Sequence, residues 1–487
     1  MAQLSALDDG VFLGIDIGSS SAKAVAVDPA GQLVSAVGHA AFTVERPTAG
    51  GWEIDPLHLF EASCEAVREL PEEVRRATRA VAVTGQMCGL VPLRKDRQPA
   101  DHCLPIFDDR SVAESRELEG RFGDHLRQHA ANGALPVYTL PKLLWMRRHR
   151  PESFERTDLV VLPKDYVRGR LTGEWVTEPT DASGTLAFDQ HAAAWDEQLL
   201  AELDLPRAQW PPVVDSLSPA GTIGASAAGE SGLPAGIPVA AGASDMAAVP
   251  VGVGATTVDD LVVSFGTAAH LISPVDSLTA AWPIQQYSSA VGATWFQFGA
   301  VYSGGVCAQW LVDLLGDPAD FAIFDEAVDR PPGEQVLFMP YLAGAGAPHE
   351  VPEAGGAFLG LRLGHDRSDL ARAVLYGLAF EVAAIHRIHD PAGTRRIHVT
   401  GGGTRLGPLV QVLADVLDRE VLLSASPDAA GIGAAWIAGL SIDPARGARS
   451  PASPTVVAPK RDGVARLAEL RPRYEDAARS VRELARR

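Results

Sequence analysis

Cysteine is scarce, at four of 487 residues, and Cys64, Cys88, Cys103 and Cys307 include no Cys-x-x-Cys pair. The usual zinc-ribbon and dithiol redox motifs are thereby excluded. Long hydrophobic runs are missing too, so no segment predicts a membrane span. Positive charge is in deficit, with 42 Lys and Arg against 61 Asp and Glu and a net charge of -19. Nucleic-acid binding asks for a basic face and is not expected. A small anionic ligand remains compatible, because a few amides and one or two cations can hold a phosphate inside an acidic protein. The start, Met1-Ala2-Gln3-Leu4-Ser5, has no basic segment leading into an apolar core. No signal peptide is read there, and a cytoplasmic enzyme is the expectation.

What the chain does have is glycine turns between short apolar strands. Phe12-Leu13-Gly14-Ile15-Asp16-Ile17 runs into Gly18-Ser19-Ser20 and returns as Ser21-Ala22-Lys23-Ala24-Val25-Ala26-Val27. A Gly-Ser turn of this kind offers backbone N–H groups and hydroxyls to an anion. Lys23 adds a positive charge, and Asp16 is placed to hold a cation against the same phosphates. The P-loop spacing is absent, and a strand follows the turn where a P-loop has a helix. A second copy of the pattern is Leu261-Val262-Val263-Ser264-Phe265, Gly266-Thr267, then Ala268-Ala269-His270-Leu271-Ile272. Two such copies, each near the start of one half of the chain, predict two related lobes sharing a cleft. A third turn, Gly401-Gly402-Gly403-Thr404, joins the strand Ile397–Thr400 to a helix carrying Leu406, Leu409, Val410, Leu413, Val416 and Leu417. It permits a flat ligand or a phosphate to approach the backbone at the helix N-terminus. Together the three turns favour a nucleotide site.

Other segments fit an α/β chain. Residues 55–79 predict a helix, and Val81–Gly89 a strand ending in a loop, where open α/β sheets place binding residues. Phe107-Asp108-Asp109-Arg110 projects charge after an apolar pair. In isolation it reads as a solvated turn. The basic run Lys142–His149 reads as a solvated helix face. Residues 211–238, rich in Pro, Gly, Ser and Ala, approach a domain junction. Beyond them Asp245 falls at the start of a helix, either as part of an N-cap or as a general base at the mouth between lobes. Residues 367–387 predict a core helix, and the charged tail from about residue 460 a surface helix.

Assembled in this order, the pieces resemble the FGGY family of carbohydrate kinases over nearly the full length. Asp16–Lys23 is similar to the first phosphate motif. Thr139–Trp145 and Gly356–Leu361 with Asp369, Leu370 and Ala373 are similar to the two family signatures, with Val137 and Tyr376 departing from the usual residues. Ser264–Thr267 and Gly401–Thr404 resemble the second phosphate turn and the adenosine motif, and Pro163–Val167 with Thr180–Thr185 is especially similar to xylulokinases. The resemblance implies two ribonuclease-H-like, actin-like lobes, at 11–247 and 248–440, with a helical tail at 441–487 packed on the second. It implies ATP and Mg2+ as cofactors, with Gly18, Ser19, Ser20, Lys23, Gly266, Thr267, Gln309, Gly401, Gly402, Gly403 and Thr404 around the nucleotide. Asp16 and Asp245 are implied as metal ligands, and Asp245 as the base that takes the acceptor proton. The acceptor site is implied at Gln86, Met87, Cys88, Phe107, Asp108, Asp109, Asp245 and Met246, with a small sugar or polyol as partner. No nucleic-acid or membrane partner is expected, and a homodimer is admitted. Xylulokinases typically carry Met-His at Met87-Cys88, Trp-Asn-Asp at Phe107-Asp108-Asp109, and Asn after the catalytic Asp where Met246 stands. Gly344–His349 also lacks the Glu-Arg pair often seen in that loop. These changes imply an altered acceptor, with D-xylulose not the preferred one.

Overall fold

The structure is a computed structural model that describes residues 9–35, 37–279, 284–292, 294–316, 321–329, 335–446 and 453–486. Two seven-stranded sheets form its frame. The first contains β1 (Val11–Ile17), β2 (Ser21–Val27), β3 (Gly38–Ala41), β4 (Thr78–Gly85), β5 (Pro219–Thr222), β6 (Pro238–Ala240) and β7 (Ala243–Ser244), in the order β3-β2-β1-β4-β6-β5 with β7 also paired to β4. The second contains β8 (Asp260–Phe265), β9 (Ala269–Val275), β10 (Gln285–Ser288), β11 (Trp295–Val301), β12 (Arg396–Thr400), β13 (Val421–Leu423) and β14 (Thr455–Val457), in the order β10-β11-β9-β8-β12-β13-β14. Each lobe opens with an antiparallel hairpin, β1-β2 or β8-β9, whose first strand pairs in parallel with a later strand, β4 or β12. The two phosphate-turn motifs are the turns of these hairpins. The internal repeat in sequence is thus a repeat of topology.

Helices cover the sheets. Those that matter for the site are α1 (Pro56–Arg68), α2 (Thr139–His149), α3 (Pro163–Thr172), α4 (Asp245–Val253), α5 (Val306–Leu315), α6 (Arg367–His389), α7 (Gly407–Leu417), α8 (Ala429–Ile442) and α9 (Arg461–Ala485). α1 starts where sequence suggests, with the Asp55 carboxylate accepting from Leu57 N, but Pro71 divides the rest of 55–79 and Thr78 already belongs to β4. α6 extends the predicted core helix to His389, and it has a complete capping box at Asp366 and Asp369.

α4 and α8 cross between the sheets, and their residues share one apolar cluster with Phe12 and Val25 of the first sheet and Val262 and Ile272 of the second. Close approach explains the small residues here. A Cβ on Gly252 would lie 1.9 Å from the Ala429 carbonyl oxygen, and one on Gly433 would lie 2.0 Å from that of Ala248. The boundary expected at residue 440 groups α8 with the second lobe, yet α8 rests on β1 of the first, where Gly14 faces the Gly431 carbonyl. The tail helix α9 buries Leu467, Leu470, Tyr474 and Ala478 in the core of the second lobe, and Tyr474 donates to Glu381 at 2.8 Å.

The basic run in α2 keeps Arg148 and His149 exposed, as expected, but Lys142 corrects the reading. Lys142 is fully buried and its ammonium donates to the carbonyls of Ile106 (3.4 Å), Pro136 (2.9 Å) and Val137. It ties two loops together beneath the cleft. Burial lowers its pKa to about 8.

Candidate active site

Strand register sets the centre of the site. Ile17 and Ser244 both stand opposite Gly85, on either side of β4. With strands about 4.8 Å apart, Asp16 and Asp245 sit on the order of 10 Å from each other at the backbone, at the C-terminal edge of the sheet. Asp245 is the first residue of α4, and its carboxylate accepts from Met246 N at 2.8 Å. Burial, then the charge of Asp16, raise its pKa to about 8. Asp16 is raised to about 6, chiefly by burial, with Lys23 opposing and Asp428 adding to the rise.

The first glycine turn follows Asp16 directly, and the other two belong to the second lobe. The first is closed by Gly18 N donating to Ser21 O at 2.9 Å, and it leaves Ser19 and Ser20 exposed. The second is backed by the loop ahead of α5, where Gly305 N donates to Gly266 O (2.9 Å) and Gly304 N to Thr267 O (2.8 Å). Gln309 lies in the first turns of α5, exposed, with its amide on Asp313. The third stacks on the second: Gly401 has φ +93°, and a Cβ there would lie 2.4 Å from the Phe265 carbonyl, next to Gly266. Gly402 has open space around it, and Thr404 donates to Gly401 O at 2.7 Å. Thr400, just before this turn, donates to Ser426 O, and Asp428 two residues on meets Lys23 at 2.6 Å. The third turn is therefore linked to the first hairpin across the lobes. Lys23, still partly exposed, pairs with Asp428 in the nucleotide-free protein.

The segments expected at the acceptor site divide. Gln86 is buried and donates to Gly18 O at 3.3 Å, which joins the loop after β4 to the first turn. Met87 and Cys88 are buried, Cys88 at φ +63°, and burial pushes the Cys88 thiol up. Half-buried Met246 packs against the cluster that contains both. Asp109 is exposed, with its carboxyl raised by partial burial. Asp108 and Phe107 are different. Asp108 accepts from Trp52 N and from Arg110, each at 2.8 Å, and is almost fully buried. Phe107 packs edge-on against Trp52, with centroids 5.7 Å apart. Asp108 is thereby paired, a correction to its reading as a free charge at the acceptor site, while Phe107 stays half-buried beside Trp52. Reasoning from sequence missed Tyr302 and Glu350 of the second lobe. Tyr302 donates to Glu350 at 2.7 Å, and burial together with the charges of Glu350 and Asp109 raises it. Two residues 48 positions apart, outside any turn motif, give no signal before folding.

Among the described residues there is no group of three or more His, Cys, Asp or Glu side chains suited to a metal. Two carboxylates beside phosphate turns suit Mg2+ instead, which binds through one or two carboxylates plus phosphate oxygens and waters. The same pair makes a pH prediction for the nucleotide-free protein. Both carboxyls titrate higher than the ordinary 3.8, at about 6 and about 8. The folded state then holds more protons than the unfolded one, so stability falls as pH rises from the ordinary carboxylate range through about 8. The expected outcome is a melting temperature that drops over that interval and drops less in Asp245→Asn, as calorimetry in chelator would show. An equal slope in both proteins would contradict the raised carboxyl.

Family models place both lobes. Residues 11–252 match the N-terminal domain of the FGGY family of carbohydrate kinases, and residues 261–442 match its C-terminal domain. The xylulose kinase of Escherichia coli (strain K12) is 31% identical over 443 residues, covering 89% of this chain and 90% of that protein. A crystal structure described as a xyloylose kinase from Brucella ovis superposes with a TM-score of 0.88 at 30% identity, covering 97% of this chain and 100% of that one. The xylulose kinase structure from Rhodospirillum rubrum gives 0.85 at 26% identity, covering 98% and 100%. No helix among the described residues is long and apolar enough to cross a membrane. With paired hairpin lobes, three glycine turns and both family domains in one chain, the protein belongs to the FGGY family of carbohydrate kinases, phosphotransferases of actin-like fold that use ATP to phosphorylate an alcohol group.

Proposed function

We propose that this chain phosphorylates a hydroxyl of a small ketose or polyol, with Mg2+-ATP as donor and Asp245 as general base. The carrying observation is the placement of Asp16 and Asp245 on either side of β4, at the edge where the Gly18–Ser20 turn opens. Phosphoryl transfer asks mainly for alignment and charge neutralisation. The turns at Gly18–Ser20 and Gly266–Thr267 offer N–H groups and hydroxyls to the phosphates, and Gly401–Gly403 offers a flat approach for the adenosine. When bound, Mg2+ neutralises phosphate charge, and Asp16 is the carboxylate suited to hold it. Asp245 accepts the acceptor proton, which requires its ionised form. Its raised pKa in the free protein suits a base that takes up a proton near neutrality. Lobe closure about the crossing of α4 and α8 would exclude water as a competing nucleophile.

For the acceptor, Cys88 and Met246 carry the difference from xylulokinases. A thiol lacks the two nitrogens of an imidazole, and a thioether is a weak acceptor where an amide both donates and accepts. Each sugar hydroxyl left unpaired on closure costs about 1–3 kcal/mol. D-xylulose itself is the second reading, favoured by the xylulose kinases among the relatives. The test is ADP release with Mg2+-ATP over D-xylulose, D-ribulose, ribitol, erythritol and inositols. The highest catalytic efficiency is expected on a panel member other than D-xylulose. D-xylulose at the top would overturn the weight given to Cys88 and Met246, and no acceptor-dependent release from any ketose or polyol would overturn the proposed activity.

A further inference from the structure

Behind Asp245 lies an island of charge with no access to solvent. Lys164, Asp165 and Arg168 of α3, together with Glu178 and Asp181, are all fully buried. Lys164 Nζ stands 2.7 Å from Asp165, 3.4 Å from Glu178 and 3.3 Å from Asp181, and Arg168 meets Asp165 at 2.7 Å. Two cations face three carboxyls, and burial holds Asp181 well above the ordinary carboxylate range. Replacing buried ion pairs by apolar packing is often neutral or stabilising, so a fold alone has little need of such an island.

Its contacts converge on one short backbone segment. Lys164 and Arg168 both donate to Ala241 O, at 3.4 and 2.8 Å. Ser244 N donates to Thr180 Oγ1 at 2.7 Å, and Thr180 Oγ1 in turn donates to Glu178 Oε1 at 2.8 Å. Glu178 is fixed by Thr180 N (2.8 Å), Asp181 N (3.1 Å) and the Ser216 hydroxyl (2.8 Å). Between the anchored residues, Gly242 makes its turn at φ +87°, where a Cβ would lie 2.1 Å from Val83 O. The next residue after Ser244 is Asp245. A chain of fixed dipoles therefore runs Glu178, Thr180, Ser244 N and ends one residue short of Asp245.

The geometry points to Thr180 as a positioning residue for Asp245, acting through the Ser244 amide and held in orientation by Glu178. This rests on Asp245 as the base. The hydroxyl acts as acceptor toward Ser244 and donor toward Glu178, and Thr or Ser alone among residues of this size does both in the available space. Misplacing a reacting group by about 1 Å costs on the order of 10² in rate.

The test compares Thr180→Val, which keeps the shape and removes the hydroxyl, with Thr180→Ser, which keeps the hydroxyl. Hydrogen exchange is followed over the peptide 240–250, and kcat and KM are measured with Mg2+-ATP on the acceptor that wild type turns over. In Thr180→Val the Ser244 amide should exchange about tenfold faster or more, having lost its acceptor. Its kcat should fall about tenfold to a hundredfold with KM for ATP little changed, and Thr180→Ser should restore both. If Thr180→Val does not fold, Thr180→Ala supplies the same comparison. Wild-type exchange and kcat in the folded valine or alanine variant, whatever its melting temperature, would overturn the proposal. If wild type phosphorylates no acceptor, the kinase reading fails separately, and the exchange measurement alone decides whether Thr180 holds this segment.

Discussion

Asp245→Asn is expected to lower turnover by about 10² or more while leaving nucleotide binding in place. Asparagine has nearly the shape of aspartate, and its side-chain oxygen can still accept from Met246 N. What it loses is basicity. The acceptor hydroxyl then has no group to take its proton as the new bond to phosphorus forms, and no His neighbours residue 245 in sequence to substitute. Removing the charge also relieves Asp16, whose carboxylate helps to raise the Asp245 pKa. Mg2+-ATP should still bind Asp245→Asn, with Asp16 left to meet the Mg2+, and the main defect should appear in kcat. Steady-state kinetics with a nucleotide thermal-shift control separates the two effects. Near-normal kcat would remove Asp245 from the chemistry.

Gly402→Val should abolish ATP-dependent stabilisation. Wild type is expected to gain about 2.7 kcal/mol at a hundredfold excess of nucleotide over its dissociation constant. Gly402 is a clean position for the test, because a Cβ there meets no protein atom within 4 Å, whereas one on Gly401 or Gly403 would collide with Phe265. The isopropyl group therefore projects into open space at the turn, and the free protein should melt close to wild type. A full nucleotide shift in Gly402→Val, read by melting with and without Mg2+-ATP, would mean that the adenosine lies elsewhere.

Local pattern made the frame of this protein legible. The hairpins at Asp16–Lys23 and Ser264–His270 declare themselves by apolar runs broken at Gly-Ser and Gly-Thr, and Asp245 by its strand-turn-helix setting. Those features depend on neighbours in sequence. What stayed hidden depends on partners far along the chain. Lys142 looks solvated beside Arg147 and Arg148, and only folding brings the carbonyls of Ile106, Pro136 and Val137 to its ammonium. Asp108 looks free until Trp52 N and the Arg110 guanidinium both donate to Oδ2 and Arg110 N, at 3.3 Å, to Oδ1. Pro163–Val167 and Thr180–Thr185 stand out in the sequence only by resemblance, and the meeting of Lys164, Asp165, Thr180 and Asp181 beneath Ser244 follows from the packing of α3 on the first sheet. The second-lobe pair Tyr302 and Glu350 meets by the same route.

The most direct test is a crystal structure with Mg2+, a non-hydrolysable ATP analogue and the acceptor that gives the best turnover. The predicted result places the reacting hydroxyl within about 2.6–3.2 Å of the Asp245 carboxylate. Mg2+ should then meet Asp16 and the phosphates, with the adenosine against Gly401–Gly403. An acceptor hydroxyl held by some other group, with Asp245 out of reach of it and the nucleotide away from the glycine turns, would contradict the account.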